Sequence, residues 1–77
     1  MTLDLHNMNV CQARIRLNAA LKKATSADYR LRVIHGYNLG SAIKKMVYRE
    51  FADHPKVLRL ETTTNPGETI LVLREYY

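Results

Sequence analysis

Leu31-Arg32-Val33-Ile34-His35-Gly36-Tyr37-Asn38-Leu39-Gly40 is the stretch whose reading decides the fold. Leu31 and Val33 alternate with Arg30 and Arg32, the period of a strand with one apolar face. Gly36 and Gly40 then mark a turn. Beyond it, residues 42–51 place Ile43, Val47 and Phe51 at helical spacing, with Met46 at the edge of the stripe and Lys44, Lys45 and Arg49 outside it. A strand that passes through a glycine-bearing turn into a helix is half of a βαβ unit. Such a turn lets backbone N–H groups approach a ligand closely, and the helix N-terminus behind it adds partial positive charge. Together these favour an anion such as phosphate.

The flanking sequence extends the pattern in both directions. Upstream, Leu3-Asp4-Leu5-His6 alternates as a strand, with Asp4 and His6 on one side. Asn7-Met8-Asn9 reads as a turn, and Asn9 with Gln12 three residues on forms a capping box. A helix is then predicted to about residue 24, with Val10, Ala13, Leu17, Ala20, Leu21 and Ala24 as its apolar stripe. Arg14, Arg16, Asn18, Lys22 and Lys23 fall away from that stripe, first as a solvated face and second as a phosphate-contact surface. Ser26-Ala27-Asp28 breaks the helix, and residues 29–34 form the next strand. Downstream, His54-Pro55 ends the second helix, because proline disfavours helix at the residue before it. Residues 57–62 read as a third strand and 69–74 as a fourth, separated by the breaker-rich Thr63-Thr64-Asn65-Pro66-Gly67-Glu68. The continuous Ile70-Leu71-Val72-Leu73 calls for burial on both faces. The order is β-α-β-α-β-β. Right-handed crossovers orient the first three strands alike, and the fourth returns antiparallel. The expected fold is an α/β (α+β) two-layer sandwich, a mixed four-stranded sheet packed against two helices, as one domain over residues 1–77.

Composition narrows the function. Twelve Lys and Arg against seven acidic residues give a net charge of +5, which points to a polyanion and above all to DNA or RNA. A simple solubility surplus is the blander account. The lone Cys11 can form no internal disulfide and reads as a small apolar residue near a helix start, so a reducing, cytoplasmic setting is expected. No apolar run is long enough for a membrane helix, and the N-terminus lacks the pattern of a secretory signal.

In open α/β sheets ligands gather beyond the carboxyl ends of parallel strands. His6 ends the first strand and His35 the second, which brings Asp4, His6, His35, Gly36 and Gly40 to one edge if those strands are neighbours. Imidazoles titrating near neutrality, an orienting carboxylate and backbone donors are a workable set for cleaving a phosphodiester. Asp4 and the two histidines as ligands of a water-activating divalent metal are a weaker alternative. Tyr37 either stacks on a nucleobase or packs over the helix end. Taken singly, each residue has a plain structural reading: Asp4 as a local cap, the histidines as strand-end hydrogen-bonders, the glycines as packing. His54, beside its proline, reads as structural or solvated.

Leu3-Asp4-Leu5-His6 before a capped helix, Ile34-His35-Gly36 with Gly40 before a second, and Gly67-x-Thr69 entering the last strand resemble the Smr (small MutS-related) domain family. The resemblance spans nearly the whole chain. It implies a fold similar to the C-terminal domain of bacterial translation initiation factor three, and nucleic-acid binding. Some members nick DNA, others cleave RNA, and others only bind. Asp4 and His6 correspond to the Leu-Asp-x-His motif, associated with catalysis or substrate contact; His35, Gly36 and Gly40 correspond to the His-Gly-x-Gly-x-Gly loop. Asn7 stands where glycine commonly follows the first motif, and Asn38 stands at the middle glycine of the second. Asparagine tolerates left-handed backbone better than most residues. The expectation is a nucleic-acid-binding Smr-like domain with phosphodiester-hydrolysing, nicking endonuclease activity. Asp4, His6 and His35 would act in catalysis. Gly36, Tyr37, Asn38, Gly40, Arg30, Arg32, Lys44 and Lys45 would contact the phosphate or the nucleic acid. A binding module without catalysis and a protein-interaction adaptor are the alternatives.

Overall fold

A computed structural model describes residues 1–36 and 41–75. Six elements follow one another: β1 (Thr2–Asp4), α1 (Val10–Lys23), β2 (Arg30–Ile34), α2 (Ser41–Glu50), β3 (Arg59–Thr62) and β4 (Glu68–Val72). The sheet order is β1-β2-β4-β3. β1 pairs parallel with β2, while β4 pairs antiparallel with both β2 and β3. The first three strands therefore run the same way, as crossover connections through a helix allow. The two-layer α+β architecture expected from the sequence is the one observed.

β4 lies in the centre of the sheet, and that place explains its unbroken apolar run. Leu71 sits between Leu31 and Leu60, and Thr69 between Val33 and Thr62. Leu31, Val33 and Leu71 join Ala13, Leu17 and Leu21 of α1 and Ile43, Met46 and Val47 of α2 in one core. Met46 is fully part of it, rather than at the edge of the stripe. On the opposite face, Val72 lies between Arg30 and Arg59, and Ile70 between Arg32 and Glu61. Among the described residues no helix covers this face, yet Val72 is inaccessible to solvent. Its cross-strand neighbours Arg30 and Arg59 have long apolar stems, of the kind that cover apolar surface while the charged head stays in water.

α1 begins where the sequence places it. The Asn9 side chain accepts the Gln12 N–H at 2.7 Å, and the Gln12 side chain accepts the Asn9 N–H at 3.2 Å. Its C-terminal end receives Lys56, whose Nζ donates to the Leu21 carbonyl at 2.8 Å. That bond fills one of the acceptors a helix leaves open at its last turn. Arg14 of α1 grips Glu50 of α2 through two hydrogen bonds of 2.7 and 2.8 Å, which fixes the two helices side by side. After α2, His54 stacks on Phe51 at 5.7 Å and accepts the Lys56 N–H, a structural role. All four strands are shorter than expected, β2 and β4 by a single residue. β1 stops at Asp4 because residues 5–8 turn, and β3 starts at Arg59 because Val57 still bonds back to His54.

Candidate nucleic-acid site at the ends of β1 and β2

Parallel pairing of β1 with β2 brings the two turns at their carboxyl ends together. The Leu5 N–H donates to the Ile34 carbonyl at 2.7 Å, one residue past the paired strands. The chain then reverses over Leu5-His6-Asn7-Met8, closed by a Met8 N–H to Leu5 carbonyl bond of 3.2 Å. Asn7 has φ of 67°. Positive φ at the third residue is the mark of a type II turn, which favours glycine and accepts asparagine. The turn is thus kept without glycine. His6 sits at the second residue of this turn. Its Cβ lies 3.8 Å from where a Cβ on Gly36 would stand, so the Asp4–His6 tip and the Gly36 bend are in contact range. Space alone would admit a side chain at Gly36; its φ of 74° is what asks for glycine there.

Asp4 and His6 form a pair. The His6 ring Nδ1 and its backbone N–H both donate to Asp4 Oδ1. A carboxylate oxygen only accepts, so the proton of the ring lies on Nδ1 and Nε2 is left to the solvent. The ring bond first, and the backbone bond second, hold the Asp4 carboxyl below the ordinary carboxylate range. Both side chains are about half exposed, at 54% for His6 and 51% for Asp4, so the pair is open to a ligand.

His35 lies in a different environment. The sequence placed it in the same edge region, and its backbone is there, but the ring turns inward and is 1% exposed. Nδ1 donates to the Gly36 carbonyl at 2.7 Å, and Nε2 meets the Thr69 hydroxyl at 2.9 Å. The N–H groups of His35 and Gly36 both donate to the Gly67 carbonyl, at 2.9 and 3.0 Å. The Gly36 amide is thereby spent within the protein. Asp4, His6 and His35 do not form a three-ligand metal site, because both His35 nitrogens are engaged away from the Asp4–His6 pair. Among the described residues no group of three His, Cys, Asp or Glu side chains could hold a metal ion.

The remaining residues named from the sequence are distributed as follows. Arg30 and Arg32 lie on the helix-free sheet face, each facing a carboxylate: Arg30 to Glu61 at 2.8 Å and Arg32 to Glu68 at 3.8 Å. Lys44 is half-buried with its Nζ 6.0 Å from the centre of the Tyr48 ring, and Lys45 is exposed. Tyr37, Asn38 and Gly40 lie outside the described residues. Cys11 is exposed, not packed. Gly67 and Thr69, which the sequence marked only as part of the family resemblance, hold the second turn in place. A signal for Thr69 was present: strand alternation puts it on the face of Leu71, and a threonine on a buried face needs a polar partner.

A small two-layer α+β domain with paired acid and imidazole at a glycine-bearing strand edge is the class that fold and site define together. The chain belongs to the Smr domain family, whose sequence profile matches residues 3–69. Among solved structures it is similar to the Smr domain of MutS2 from Thermus thermophilus, with a TM-score of 0.83 and 24% identity over 96% of this chain and 98% of that one. At that identity the likeness carries the fold. No curated protein matches. The family is known in general for nucleic-acid binding and nicking. No helix among the described residues is long and apolar enough to cross a membrane.

Proposed function

We propose that this chain is a nucleic-acid-binding Smr domain that hydrolyses a phosphodiester bond at the tip where β1 and β2 end. The observation that supports this most directly is the exposed Asp4–His6 pair, with its free Nε2, against the Gly36 bend. With Nδ1–H held by Asp4, Nε2 is fixed in direction and able to accept the proton of an attacking water or ribose hydroxyl. Once protonated there, the same imidazole donates to the departing oxygen, and the Asp4 carboxylate stabilises the cation in between. His35 acts in this scheme as a positioning residue. Its ring and backbone clamp the Gly36 bend to Gly67 and Thr69, and so set the distance between the two turns.

Purified protein is assayed for plasmid nicking and for RNA cleavage, beside Asp4→Asn and His6→Ala. His6→Ala lowers the cleavage rate by roughly 10²–10⁴, the usual contribution of a positioned acid–base group. Asp4→Asn lowers it too while keeping the shape of the turn. Equal cleavage by all three proteins overturns the assignment. Binding without cleavage is the second reading. It is favoured by the burial of His35, which leaves one imidazole rather than two facing solvent at the tip. It requires salt-sensitive association with DNA or RNA and intact substrate after incubation.

A further inference from the structure

An apolar groove of about 340 Å³ runs beside the Asp4–His6 tip, lined by Met8, Gln12, Ile15 and Arg16. It adjoins the candidate site through the chain. Met8 is the fourth residue of the turn that carries His6, bonded back to Leu5, and Gln12, Ile15 and Arg16 occupy the first two turns of α1. Ile15 is 64% exposed, an unusual place for an isoleucine on a helix whose stripe already fills the core. The volume is at the low end for a small-molecule site.

The polar groups at the groove select its occupant. Gln12 spends its side-chain oxygen on the Asn9 N–H, which leaves its two amide protons without a partner among the described residues. Those donors match the acceptors that a nucleobase edge presents. Arg16 has no ion pair among the described residues, whereas Arg14, Arg30, Arg32 and Arg59 all face glutamates. α1 carries no acidic residue at all. An apolar lining with an amide donor and an unpaired guanidinium fits a nucleotide: base, base edge and phosphate.

We propose, resting on the nucleic-acid function above, that this groove holds one unstacked base of the bound strand next to the phosphate at the Asp4–His6 tip. Met8 and Ile15 pack against the face of the base, Gln12 donates to its edge, and Arg16 contacts a neighbouring phosphate. Bases removed from a stack are held by apolar side chains and edge hydrogen bonds in this way. The domain accordingly selects single strands, or sites where a base is already unpaired.

The test compares two probes, a short oligothymidylate and an abasic phosphodiester strand of equal length, in titrations followed by fluorescence anisotropy. Wild-type protein binds the thymidylate more tightly than the abasic strand. Ile15→Ser weakens thymidylate binding by about 5- to 20-fold and leaves abasic binding unchanged, because it removes a base contact only. Ile15→Phe retains or strengthens the preference, and Arg16→Gln weakens both probes alike. Ile15 is exposed, so these substitutions leave the core intact. An Ile15→Ser protein that keeps the wild-type preference overturns the proposal, and so does equal weakening on both probes. An effect seen only in self-association, measured by sedimentation, assigns the groove to a protein contact and overturns it too. If the wild-type protein binds neither probe, the nucleic-acid function itself falls, which is distinct from the other outcomes.

Discussion

His35 and Thr69 meet because β2 and β4 are antiparallel with Val33 opposite Thr69, which puts His35 one step further along the same buried face. The Thr69 hydroxyl is fully buried, and no buried side-chain polar atom among the described residues lacks a partner. Thr69→Val keeps the shape and removes the hydroxyl, leaving the His35 Nε2 buried and unpaired. The expected loss is about 1–3 kcal/mol in urea denaturation, the cost of an orphaned buried polar group. Thr69→Ser keeps most of the wild-type stability. A Thr69→Val protein as stable as the wild type sinks the clamp. At this scale the sequence was informative about identity and silent about direction. Asp4 and His6 could be paired from strand alternation, and asparagine at position 7 could be reconciled with a left-handed turn. That His35 points inward, away from Asp4, depends on its hydrogen bonds to Thr69 and to the Gly36 carbonyl. The first of these partners is 34 residues away in the chain.

Helices of this length are marginal alone, so α1 depends on its ends and its packed stripe. The capping box at Asn9 and Gln12 satisfies two of the donors that open the helix. Asn9→Ala is expected to cost about 1 kcal/mol in a thermal or urea melt. The cap also sets the start of the helix that carries Gln12, Ile15 and Arg16, so the same substitution loosens the groove. Full stability in Asn9→Ala would mean that tertiary packing alone defines the start. The elements themselves were legible because each has a clear period: 3.6 in both helices and 2 in β2. Strand order was not. The apolar run of β4 called for burial on both faces, and that is what a central strand has. Its insertion between β2 and β3 is set by the pairing of Leu71 with Leu31 on one side and Leu60 on the other. Local periodicity carries no record of those partners.

Across the whole molecule, charge is sorted by face. The helix-free side of the sheet neutralises its arginines: Glu61 takes Arg30 and Arg59, Glu75 takes Arg59 again, and Glu68 faces Arg32. Arg16, Lys22 and Lys23 of α1 have no such partners among the described residues. The net charge of +5 is therefore presented on the helix side rather than around the sheet. This sorting also dictates how stability depends on pH. Arginine hydrogen bonds hold the carboxyls of Glu50 and Glu61 below their ordinary value, and the His6 ring does the same for Asp4. Above about pH 5 all three are ionised in both folded and unfolded chains, and their contribution is complete. As pH falls through the ordinary carboxylate range, the unfolded chain takes up protons that the folded chain refuses, so the equilibrium moves toward unfolding. The contribution is gone once pH drops below the lowered native values. The carboxylate contribution to Tm is therefore expected to hold between about pH 7 and 5 and to fall steadily below that. High salt flattens the fall because these pairs are exposed. Glu61→Gln removes the bonds of two arginines and Glu50→Gln those of one, so the acid-side slope weakens more in Glu61→Gln. Circular-dichroism melts across that pH range check the order. A wild-type Tm that stays level to pH 3 would show that the paired carboxylates contribute nothing to the fold.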